Sequence, residues 1–103
     1  MTNTNEQDLT VNVLAFREGE FWVAQCIEFD IAARSDTLEK AMQAFGRVFT
    51  ANLIVNDQLG RKALDGIPPA PTRFKHMFDS AKSVLDELPR PRRVAELRVL
   101  EAA

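Results

Sequence analysis

Cleavage of a phosphodiester by two metal ions needs carboxylates converging from several elements on a pair of ions about 4 Å apart. The acids of this 103-residue chain are not spaced to do so. Asp30 falls in a turn, Glu39 stands where a helix cap would use it, and Glu96 reads as surface. The first strand-like run, Val11-Asn12-Val13-Leu14-Ala15, contains no acid. His76 is the single histidine and has no Cys or second His at ligand spacing, so neither a zinc site nor a Ser-His-Asp arrangement can be assembled around it. Cys26, the single cysteine, would need a base and a lowered pKa to act as a nucleophile; in a run of Val and Ala it reads as a buried, inert thiol. There is no Gly-rich phosphate loop. The reading is a protein that is not an enzyme, with no catalytic residue, metal or cofactor.

Charge then says where a partner could bind. The net charge is only -2, yet residues 1–60 hold four Lys/Arg against nine Asp/Glu, whereas residues 61–103 hold nine against six. The basic excess gathers at Arg90, Arg92 and Arg93, a cluster that suits nucleic acid, an acidic partner or plain solvated surface. A lone cysteine cannot form an internal bridge, and no apolar stretch approaches the roughly 18 residues of a membrane span. With no targeting signal at the N-terminus, a soluble, cytoplasmic protein is expected.

The elements that must position these residues follow from periodicity. Residues 1–7 are polar and aperiodic and read as a disordered lead, with a single domain over 8–103. Leu9 to Arg17 and Glu20 to Glu28 form a hairpin around Glu18-Gly19. Setting Arg17 opposite Glu20 pairs Phe16 with Phe21, Leu14 with Val23 and Asn12 with Gln25 on one face. Val11, Val13, Ala15, Trp22, Ala24 and Cys26 make the other, which is wholly apolar and is assigned to the core. A short strand spans Ile31 to Arg34, and Asp36 with Glu39 has capping-box spacing.

From Thr37 to about Gln58, Leu38, Ala41, Met42, Phe45, Val48, Phe49 and Leu53 recur at helical steps, and Gly60 ends the run. After a loop containing Ile67-Pro68-Pro69-Ala70-Pro71, Thr72 caps a second helix striped by Phe74, Met77, Phe78, Ala81, Leu85 and Leu88 and closed by Pro89. Arg92 to Glu101 is read as a final strand. The fold class is thus α+β, in the order βββααβ, with a sheet covered by helices.

Leu14, Phe16, Phe21 and Val23 would then form an apolar patch on the sheet face left open. A homo-oligomer is expected from it, unless the Pro-rich loop or the helix from Thr72 covers the patch within the chain.

Two segments carry a resemblance to a known family. Phe21-Trp22-Val23-Ala24-Gln25-Cys26-Ile27-Glu28-Phe29-Asp30-Ile31-Ala32-Ala33 and Ser35-Asp36-Thr37-Leu38-Glu39-Lys40-Ala41, followed by Gly60 and Ile67-Pro68-Pro69, resemble the HicB-like antitoxins over about residues 9–71. The resemblance implies a degenerate, ribonuclease-H-like fold in which a three-stranded antiparallel sheet gains a fourth strand beside the first. It also implies a binding role, neutralising a small RNA-cleaving toxin. Such a toxin would present a basic surface to the acidic side of the domain, where Glu18, Glu20, Glu28 and Asp30 would meet it. Ser35 stands where the family commonly has Gly, and Thr72 to Ala103 contains no recognisable DNA-binding module. The alternative is a stand-alone oligomer of the same fold with no toxin partner.

Overall fold

The computed structural model describes residues 9–61, 64–81, 83–84 and 94–102. The polar lead, Arg90, Arg92 and Arg93, and Leu85, Leu88 and Pro89 of the expected second helix lie outside them.

Strands β1 (Leu9–Glu18) and β2 (Phe21–Cys26) form the hairpin. Its pairing is offset by two residues from the expected one: Glu18 faces Phe21, Arg17 faces Trp22, Phe16 faces Val23 and Leu14 faces Gln25. The loop is therefore Gly19-Glu20 rather than Glu18-Gly19. Gly19 has φ +64°, and a glycine with positive φ at the first of two loop residues is the turn whose twist matches a hairpin. Because side chains alternate every residue, an offset of two changes partners but not faces. Val11, Val13, Ala15, Ala24 and Cys26 are fully buried on the expected core face.

The third strand, β3 (Ala32–Ser35), pairs antiparallel with β2. Helix α1 (Leu38–Gln58) follows, and its cap corrects the expected capping box: Thr37, not Asp36, accepts a hydrogen bond on its hydroxyl from the Lys40 N–H at 3.1 Å. Asp36 instead lies 3.7 Å from the Lys40 ammonium in an exposed pair. At the other end Gly60 N–H donates to the Asp57 carbonyl and Arg61 N–H to the Asn56 carbonyl. That pair of bonds is a Schellman cap, which needs the left-handed residue Gly60 supplies at φ +71°. Ala41, Met42, Phe45, Phe49 and Leu53 pack on the sheet. Val48, expected among them, is 39% exposed, on the rim of the helix away from the sheet.

The loop after α1 plugs the same core with Leu64, which is 1% exposed and holds φ +58°. A left-handed leucine costs of order 1–3 kcal/mol, so the burial of its side chain must hold the turn in place.

Helix α2 (Thr72–Asp79) is shorter than expected, and Thr72 is its first residue; Pro71 precedes it with no side-chain cap. The chain then enters the two-residue strand β4 (Ser83–Val84), antiparallel to β5 (Val94–Glu101). β5 lies parallel to β1, so the mixed sheet runs β3-β2-β1-β5-β4 with β1 in the middle. The α+β class holds.

α2 crosses the sheet face opposite α1, where Phe78 packs with Leu14, Ile27 and Leu100, and Phe74 stacks on Phe16 at 5.8 Å. The patch expected to drive self-association is thereby covered within one chain. Leu14 is 0% and Val23 8% exposed and Phe16 is half-buried, which leaves Phe21 open at 44%.

Candidate functional site

The four acids expected to meet a partner do not form one cluster. Glu18 and Glu20 flank the turn at the tip of the hairpin, whereas Glu28 and Asp30 lie beyond the far end of β2, about 20 Å away for six strand residues.

At the far end the carboxylates serve the fold. Glu28 is half-buried and accepts from the Asn12 backbone N–H at 2.9 Å, from the Asn12 side-chain amide, and from the Cys26 thiol at 3.6 Å. Asp30 accepts at 3.0 Å from the side-chain amide of buried Gln25, which also donates to the Cys26 carbonyl at 3.0 Å. The backbone closes the turn: Cys26 N–H donates to Ile31 C=O, Asp30 N–H to Pro68 C=O, and Ala70 N–H to Ile27 C=O. The Pro-rich loop is thus pinned against the turn that Glu28 and Asp30 organise.

Cys26 is walled in by this network. Desolvation pushes its thiol up to about 12; a hydrogen bond from the Phe29 backbone opposes the rise, and the charge of Glu28 adds to it. The thiol is protonated at neutral pH, so it is no nucleophile.

Replacing Glu28 by Gln should make the structural role measurable. The new amide NH2 would face donors, and leaving a buried donor unpaired costs about 1–3 kcal/mol. Urea unfolding should record that loss. A change below about 0.5 kcal/mol, the scatter of plain surface substitutions, would return Glu28 to the list of partner-binding residues.

At the near end the side chains face outward. Glu18, Glu20 and Phe21 are exposed around the turn. The Arg34 guanidinium sits 4.9 Å over the Phe21 ring and 3.5 Å from the Glu18 carboxylate. On the other side of the hairpin, Arg17 lies 5.5 Å over the ring of Trp22. An ion pair this exposed adds little stability. Its effect is to hold the long Arg34 side chain along the ring, which presents an aromatic anchor rimmed by charge. The sequence named Glu18 and Glu20 for a partner and Phe21 for self-association; it did not place Arg34 beside them, because the β2–β3 register that brings Arg34 opposite Val23 cannot be read from spacing.

The residues weighed for catalysis stay apart. Glu39 lies in the first turn of α1, Glu96 stands on β5 opposite Thr10, and His76 is exposed in the last turn of α2. Among the described residues no three His, Cys, Asp or Glu side chains are grouped to hold a metal ion. No protein family, curated protein or solved structure matches the chain. No helix among the described residues is long and apolar enough to cross a membrane.

Proposed function

We propose that this chain is a HicB-like, non-catalytic protein-binding domain of degenerate ribonuclease-H-like fold, acting in the cytoplasm as an antitoxin against a small RNA-cleaving toxin. The observation that carries the binding reading is the filled central strand. Val11, Val13 and Ala15 are sealed under α1, Leu14 is sealed under α2, and Asn12 is tied to Glu28. A substrate has no room at β1, the strand from which a ribonuclease-H site would be built. Binding must use the rim, and the hairpin tip offers Glu18, Glu20 and Phe21 together. The parallel placement of β5 beside β1 supports the ribonuclease-H-like reading.

The mechanism is occlusion: a basic RNA-binding surface is steered onto Glu18 and Glu20, while Phe21 supplies apolar contact. Glu28, half-buried in the turn, and Asp30, exposed at the opposite end of β2 from the tip, lie outside this interface.

Native co-purification identifies the partner, and charge reversal tests the surface. Glu18→Lys/Glu20→Lys should weaken binding of the captured toxin at least tenfold, about 1.4 kcal/mol, and flatten its salt dependence without changing the melting curve. Unchanged affinity and salt dependence would eliminate the tip as the binding surface.

A further inference from the structure

Among the described residues, α1 carries exposed apolar side chains that belong to neither core cluster. Val48, Ile54, Val55 and the cap residue Leu59 are 39%, 52%, 51% and 60% exposed, whereas Phe45, Phe49 and Leu53 on the sheet side are at most 3%. Among the described residues the other helix, α2, cannot cover them, since it lies across the opposite face of the sheet. Ala44, Val48, Ala51 and Val55 follow one another by four, three and four residues, the seven-residue repeat with which helices interlock side chains.

We propose that this face is a self-association seam, at which α1 of a second copy packs antiparallel about a two-fold axis beside Ala51. The seam is complementary to itself. Reversal about that axis sets Val48 against Val55 of the second copy and small Ala44 against large Leu59 of the second copy. Ala51 at the crossing point lets the two helices approach closely. Arg47 lies beside the stripe and Lys40 one turn beyond its N-terminal end, so neither charge falls among the paired side chains. The exposed apolar side chains amount to on the order of 400 Å2 per copy, and with their polar flanks two copies bury about 1,000 Å2, the lower limit of a specific interface. A dimer that forms in the micromolar range and dissociates on dilution is the expected consequence. It stands whether or not the toxin reading holds.

Sedimentation equilibrium of the full chain over a concentration series tests it. The wild type should shift from 11.6 kDa towards twice that mass. Val48→Lys/Val55→Lys should remain monomeric with an unchanged circular dichroism spectrum. Ala51→Glu, at an exposed position the monomer fold tolerates, should weaken association at least tenfold even if the double variant fails to fold. In a Cys26→Ala background, Ala44→Cys/Leu59→Cys should be joined between copies by a short bis-maleimide crosslinker, and Ala44→Cys alone should not. A monomer at every concentration, a dimer indifferent to Ala51→Glu, or crosslinking through Ala44→Cys alone would overturn the proposal.

Discussion

Phe45→Ala should lower the unfolding free energy by about 3–5 kcal/mol, the cost of removing a large aromatic side chain from a site that cannot collapse around the void. Phe45 is 0% exposed, its ring lies 5.6 Å from that of Phe49, and both press on the sheet face made by β1 and β2. The core cluster that Phe45 belongs to includes the small side chains Ala15 and Ala24, which have little reach into a cavity. For a domain whose whole stability is about 5–15 kcal/mol, such a loss removes a large share. Urea unfolding should show a lower midpoint at constant slope. A change under about 1 kcal/mol would put Phe45 outside the core.

The second large effect is alkaline. The folded state holds the Cys26 thiol up at about 12 against an ordinary value of 9.0. As pH rises past the unfolded value, the unfolded chain gives up its thiol proton while the folded chain keeps it. The unfolded state then binds fewer protons, so stability falls with rising pH. The contribution is whole below about pH 9 and gone above about pH 12, with an upper size of about 4 kcal/mol at 1.4 kcal/mol per pKa unit.

The chain has no tyrosine to titrate in the same window. Lys40 and Lys75 sit in exposed pairs worth little. Urea unfolding of wild type and Cys26→Ala at several pH values between about 8 and 11 should therefore show a decline that the variant lacks. Parallel declines in the two proteins would mean that the thiol titrates as freely folded as unfolded.

The residues that defined faces were legible in the sequence, and those that defined partners were not. Period-two alternation assigned Val11, Val13, Ala24 and Cys26 to the core correctly. It could not set the hairpin register, because Gly19 works equally well as the first or second residue of a turn, and only the pairing of Glu18 with Phe21 decides between them. Helical spacing found α1 to within a residue at its start but put Val48 inward, where the phase of the helix rotates it to the rim.

The stripe from Phe74 to Leu88 suggested one long helix, yet Ser83-Val84 is taken by the edge of β5, a competitor invisible to local spacing. The acidic side was visible as composition only. Which carboxylates remain available depends on amides sixteen residues away for Glu28 and five for Asp30. The resulting separation of tip acids from turn acids is a tertiary fact.

The central place of β1 governs the order in which the protein can be made. Its ladder on one side is filled by β2, three residues downstream of its end, and on the other by β5, some eighty residues later. A nascent chain that has released everything up to α2 therefore carries a buried strand with one edge still bare, and the edge closes only when residues 94–101 leave the ribosome. Such long-range pairing is slow to form and exposed to wrong partners while it waits. Arrest of translation before Val94 should thus yield a species prone to pairing with its neighbours along β1.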